Sequence, residues 1–197
     1  MTLPYLRTHS YFGFLESLFS PQALAATARE QGIPCLGLTD HRFLTGSIEF
    51  YEACLDVEIK PILGLEIDLS FEGHSSRLAL LAKDRSGWSN LCRLSSALMM
   101  EHTSLTLQAL SENSEGLIGI AGGPWGILRD LVLSSPSGEK RPQQFLSMLQ
   151  AIFKDDLFIE IQRYANGTLQ GEVMLRGLAE VFPLPLIATH AICYLKH

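Results

Sequence analysis

Positive charge is scarce in this chain. Fifteen lysines and arginines stand against 21 aspartates and glutamates, a formal net charge of −6 over 197 residues. A surface of that sign repels phosphate, so a strong grip on nucleic acid is not expected of it. Cysteine is sparse as well. Cys35, Cys54, Cys92 and Cys193 form no C-x-x-C pair, and three lie in apolar stretches, so they read as reduced thiols and not as a disulfide frame. No apolar run is long enough to span a bilayer, and the opening "MTLPYLRTHS" lacks the basic head and apolar run of a signal peptide. A cytoplasmic location is therefore expected. No G-x-x-x-x-G-K-[ST] surrounds Gly122 and Gly123, which read as a turn. No serine or cysteine has an identifiable base beside it, so nucleophilic catalysis has no support.

What the chain does have is apolar mass: 47% hydrophobic residues against 18% charged, which suits one compact domain over residues 1–197. Apolar runs predict strands at Pro4–Thr8, Cys35–Thr39, "KPILGLEIDLSF", "RLALLA", "GLIGIAG", "DLFIEIQ" and "PLIAT". Helices are predicted between them. The first is punctuated by Ser20 as cap, Pro21 in the first turn and Gly32 past the end. Others cover about Ser47–Leu55, "WSNLCRLSSALMM" capped by Asp84 or Ser86, "ILRDLVL", "PQQFLSMLQAIF" and "LQGEVMLRGLAEVF". Ser134–Arg141 reads as a polar surface loop. Strand and helix alternate almost throughout, which argues for an α/β fold with a largely parallel sheet, open or closed into a barrel.

The polar residues favour a barrel-like site. His9 follows the first strand, Asp40 and His41 the second; Glu66 lies in the third, Gln162 and Arg163 end the sixth, and Thr189 and His190 close the seventh. Side chains at the carboxyl ends of parallel strands converge on one face. His9, Asp40, His41, Glu66 and His190 have the donor types of a divalent-metal site. Each also has a plainer reading: a histidine satisfied by backbone, a capping aspartate, a glutamate paired with an arginine. Their shared placement is what raises the group. His74, His102 and His197 lack it and read as surface residues.

The stretches "LRTHSYFGFLES", "LGLTDHRFLTGSIEFYEA", "IKPILGLEIDL", "LALLAKDRSGWSNLCRLSS", "LFIEIQRYA" and "LPLIATHAICYL" resemble, in order, the polymerase-and-histidinol-phosphatase (PHP) domain of bacterial DNA polymerase III alpha subunits. The resemblance implies a distorted seven-stranded βα barrel and, in active members, a metal cluster held by about nine residues. The match to that ligand set is partial. The H-x-H motif reads Arg7-Thr8-His9, keeping His9 only. Asp40, His41 and Glu66 match. A histidine before "LALLAKD" is replaced by Arg77, a ligand after strand five falls near Gly123, and the final N-D-x-H reads His190-Ala191-Ile192-Cys193.

These losses imply a degenerate site in which Arg7 and Arg77 stand in for metal charge. The resemblance then implies a noncatalytic structural or docking module, with the remaining polymerase domains and the proofreading exonuclease subunit as partners. No cofactor is expected, though a residual Zn, Mn or Mg ion stays open. An active metal-dependent phosphoesterase or 3'-5' exonuclease is the alternative. A relative of error-prone polymerases is a third placement with the same domain chemistry. Since the sequence closes on the last motif, with no room for polymerase domains, a fragment of a longer chain or a truncated relative is expected.

Overall fold

The computed structural model describes residues 4–13, 15–101, 104–134, 140–163, 169–189 and 191–192. The chain forms two compact units, Met1–Glu66 with Thr189–His197, and Ile67–Ala188.

The first unit holds β1 (Tyr5–Thr8), α1 (Pro21–Glu30), β2 (Cys35–Leu38), α2 (Ser47–Asp56), the opening half of β3 (Lys60–Phe71) and the short β8 (Ala191–Ile192). Its strand order is β8-β1-β2-β3, and every neighbouring pair is parallel. Parallel strands need crossover helices, and α1 and α2 supply them. Ser20 caps α1 by accepting the Ala23 N–H at 3.1 Å, Pro21 opens the helix, and Gly32 follows it at a positive φ of 66°. Leu24, Ala25 and Ala28 of α1 pack with Leu36 and Leu38 of β2 and with Phe50, Ala53 and Cys54 of α2. That core leaves the strand ends as the polar edge of the unit.

The second unit holds the rest of β3, then β4 (His74–Ala82), α3 (Arg85–Glu101), α4 (Leu107–Glu112), β5 (Leu117–Ala121), α5 (Ile127–Ser134), α6 (Arg141–Phe153), a single 3-10 turn (Lys154–Asp156), β6 (Leu157–Ile161), α7 (Leu169–Val181) and β7 (Leu186–Ala188). Its order is β3-β4-β5-β6-β7. Here β4 runs antiparallel to β5, while β5, β6 and β7 are parallel. The loop between β3 and β4 is only Glu72 and Gly73, at φ of 46° and 81°, the double positive φ of a tight hairpin turn. Asp84 begins α3, its Oδ1 accepting the Gly87 N–H at 2.9 Å.

The α/β class and all seven expected strands are present. The details differ at several points. β4 begins at His74, earlier than Arg77, and it is the strand that departs from the parallel rule. β8 and α4 were not expected. Of the loop expected at Ser134–Arg141, Ser134 closes α5 and Arg141 opens α6, while 135–139 lie outside the described residues.

Candidate functional site

The site of the first unit is built by backbone bonds that run past the ends of its strands. The Thr39 N–H donates to Thr8 O at 2.9 Å, just beyond β2. The Glu66 N–H donates to Asp40 O at 3.2 Å, and the Arg42 N–H donates back to Glu66 O at 2.8 Å. His41 and Glu66 form an isolated parallel bridge. Asp40, His41 and Glu66 are therefore held in register by main chain, not only by their side chains. A tight loop then returns to this edge. The Gly13 N–H bonds Ser10 O at 3.0 Å, the Glu16 N–H bonds Gly13 O at 3.2 Å, and the Tyr11 N–H bonds Phe19 O at 2.9 Å.

Glu66 is fully buried, and its partner is Arg7, which is buried too. The Arg7 Nε donates to Glu66 Oε1 at 3.1 Å, and Nη2 makes a second, shorter bond to the same oxygen. His9 Nε2 approaches that oxygen at 3.3 Å, while His9 Nδ1 lies 3.2 Å from Glu16 Oε2. Neither contact has the alignment of a hydrogen bond, so both are close charge contacts. Glu16 Oε1 continues to His41 Nδ1 at 3.6 Å. Asp40 is held differently: the Ser10 N–H reaches Oδ1 at 2.7 Å, and the Ser10 hydroxyl reaches Oδ2 at 2.5 Å.

The ionisation follows from these contacts. Burial works against charge on Glu66, but the Arg7 guanidinium and His9 outweigh it and hold the carboxyl well below the usual range. Burial likewise works against protonated His9, but Glu16 and Glu66 overcome it and push its pKa up to about 9. For Asp40 burial wins over the bonds from Ser10 and raises the pKa to about 6.

The structure thus brings together Arg7, His9, Asp40, His41 and Glu66. It adds Ser10 and Glu16, which sequence reasoning missed although both lie in the quoted "THSYFGFLES". Arg77 belongs to the second unit. Its guanidinium lies 5.6 Å from the Trp125 ring centroid, a cation–π distance, and the Arg77 backbone N–H donates to Trp125 O at 2.9 Å. His190 and Cys193 lie outside the described residues. Gly123 follows Gly122, which turns the chain after β5 at φ of 113°. At the end of β6, Gln162 Nε2 donates to buried Glu160 at 2.7 Å, and Arg163 grips Glu172 at 2.8 and 2.7 Å.

At this edge Glu66 carries the Arg7 guanidinium, and each oxygen of Asp40 accepts one bond from Ser10. Among the described residues no group of three or more His, Cys, Asp or Glu side chains is arranged to hold a metal ion.

The model of the PHP domain matches residues 5–164. A Chlamydia trachomatis DNA polymerase III subunit alpha is 34% identical over 182 residues, which is 85% of this chain and 14% of that protein. The Bacillus subtilis subunit is 30% identical over 200 residues, all of this chain and 18% of that protein. The chain therefore spans less than a fifth of these relatives. A Bifidobacterium adolescentis structure assigned as a metal-dependent phosphoesterase shares the fold at a TM-score of 0.65 and 15% identity, over all of this chain and 89% of its own. A Chromobacterium violaceum amidohydrolase with bound sulfate shares it at 0.68 and 12%, over 98% of this chain and 88% of its own.

Proposed function

The chain belongs to the PHP domain family, and from that premise we propose that it is a noncatalytic structural and docking module of the kind carried by DNA polymerase III alpha subunits, with its metal site rebuilt as a salt-bridge network. One observation carries this reading: the buried pair of Arg7 and Glu66. A metal cluster in this position would gather carboxylates that otherwise repel one another. Here a guanidinium that cannot be deprotonated supplies the positive charge. His9, protonated up to a pKa of about 9, supplies a second positive charge and places it between Glu66 and Glu16. The two cations, Arg7 and His9, match the two carboxylates they face, Glu66 and Glu16, while Asp40 is held by Ser10, and the strand ends stay together without an added ion.

Arg7 takes the metal-replacing role through its bonds to Glu66, and Arg77, whose guanidinium lies at a cation–π distance from Trp125, is the second candidate for it. The similarity to alpha subunits supports the remaining polymerase domains as partners of the module, and a proofreading exonuclease is proposed beside them. The alternative is an active metal-dependent phosphoesterase or 3'-5' exonuclease. The proximity of His9, Asp40, His41 and Glu66, and the assigned activity of a structural neighbour, keep it in play.

Metal content and hydrolysis separate the two. The purified chain is expected to hold no stoichiometric zinc, manganese or iron by elemental analysis. It is expected to cleave neither p-nitrophenyl phosphate nor single-stranded DNA when Zn, Mn or Mg is added. Two or more tightly held metals per chain, with hydrolysis lost on Asp40→Asn, would establish the alternative; one weakly held ion without activity leaves the proposal standing.

A further inference from the structure

Helix α2 has two faces. Ser47, Phe50, Ala53 and Cys54 are buried, while Ile48, Tyr51 and Leu55 are 58%, 44% and 52% exposed. The three exposed apolar residues stand at i, i+3 and i+7, which aligns them in one stripe along the helix. Beside that stripe lie exposed Glu52 and Asp56, and the helix carries no lysine or arginine. Among the described residues neither acid is ion-paired. Glu49, at the other turn, is engaged by Gln22 Nε2 at 2.8 Å and by the Tyr11 hydroxyl at 3.4 Å, which seats half-exposed Tyr11 next to the same helix.

We propose that this face of α2 docks a basic amphipathic helix of a partner protein, its apolar side over Ile48, Tyr51 and Leu55 and its lysines or arginines over Glu52 and Asp56. A contiguous apolar stripe edged by charge of one sign is the pattern of an interaction surface. The charge selects among occupants. An anionic lipid surface is repelled by the acidic edge. A second copy of the chain would present the same acids to itself in a two-fold contact. A basic helix satisfies both parts of the surface. This inference rests on the docking half of the proposed function and not on the silent site.

The probe is a labelled amphipathic peptide with leucines on one face and lysines on the other, titrated with the 197-residue chain and read by fluorescence anisotropy. Binding is expected to weaken with added salt and to fall about tenfold or more in Leu55→Glu and in the double variant Glu52→Lys, Asp56→Lys. The same peptide with glutamate in place of lysine is expected not to bind. No binding by the wild-type chain, equal binding of the two peptides, or unchanged binding by both variants overturns the inference. So does light scattering that shows a dimer dissolved by Leu55→Glu, which would assign the face to self-association. The charge variant changes only exposed residues and decides the matter if Leu55→Glu fails to fold. Run in parallel, polymerase domains or exonuclease that bind wild type and variants alike would remove this face while leaving the docking role; their failure to bind the wild type would remove the docking role itself.

Discussion

Arg7 sits on β1 where a strand side chain can turn to the polar edge, and it carries a charge that no ordinary pH removes. Losing one side of a buried pair leaves the other without compensation, so Arg7→Ala is expected to cost about 3–5 kcal/mol of unfolding free energy in urea. The double variant Arg7→Met, Glu66→Gln is expected to cost less than the two single changes summed; additivity within error would show that the pair is not coupled. His9 makes a pH prediction. Its pKa is about 9 folded against 6.5 ordinarily, so it binds its proton more tightly in the folded state. Its contribution is complete below pH 6.5 and is lost as pH rises through about 9. Asp40 has the same sign in a lower window, from 3.8 to about 6. Glu66 has the opposite sign: its contribution is present above its ordinary 4.5 and is lost only in strong acid. Between pH 6.5 and 9 only His9 of the three changes charge, so stability should fall there by up to about 3 kcal/mol. His9→Gln should flatten that slope, and a wild-type urea midpoint that is level across the window would refute the assignment.

At the scale of elements, the site depends on how closely β1 and β2 approach. A Cβ on Gly37 would lie 2.4 Å from the Leu6 carbonyl oxygen, and the Thr8 hydroxyl donates to Gly37 O at 2.7 Å. Gly37→Ala must push the two strands apart, with an expected cost of ~1–3 kcal/mol in urea. Because Arg7 rides on β1, His9 follows it directly and Asp40 follows β2, the same change should reduce the coupling between Arg7 and Glu66; an unaltered melting temperature would show that the strands adapt freely. The strands and longer helices were legible because each is an apolar run or a periodic face between caps: Ser20, Pro21 and Gly32 around α1 are the clearest case. α4 was not, since six residues with one buried leucine, Leu110, show no period. β8 has only two residues, and the polar start of β4, His74 to Ser76, hides its strand character. The turn at Glu72 and Gly73 was readable in principle from its glycine. Within the site, Arg7, His9, Asp40, His41 and Glu66 could be read from strand ends and motif positions. Ser10 and Glu16 could not, because the loop that returns them is set by main-chain bonds among Ser10, Tyr11, Gly13, Glu16 and Phe19 that follow no strand or helix period.

For the whole molecule the remaining question is what its surface charge permits. The excess of acid, 21 residues against 15, is only part of the argument, since a basic patch can exist on an acidic protein. The distribution matters more. Arg163 and Arg176 both close on Glu172, Arg29 pairs with Glu58, Arg141 with Glu72 and Lys83 with Asp156. Exposed pairs of this kind contribute little stability, but each neutralises a cation that would otherwise face a phosphate. A row of unneutralised cations is what releases counterions from DNA and makes binding tight and salt-dependent. The chain is therefore expected to bind a labelled duplex more weakly than about 10⁻⁴ M at physiological salt, the weak end of nonspecific binding. Glu172→Gln frees Arg163 and Arg176 together and should strengthen that binding detectably at low salt. Binding of the wild-type chain in the micromolar range, with an affinity that falls steeply as salt is raised, would contradict the charge argument and assign this domain a direct part in holding DNA.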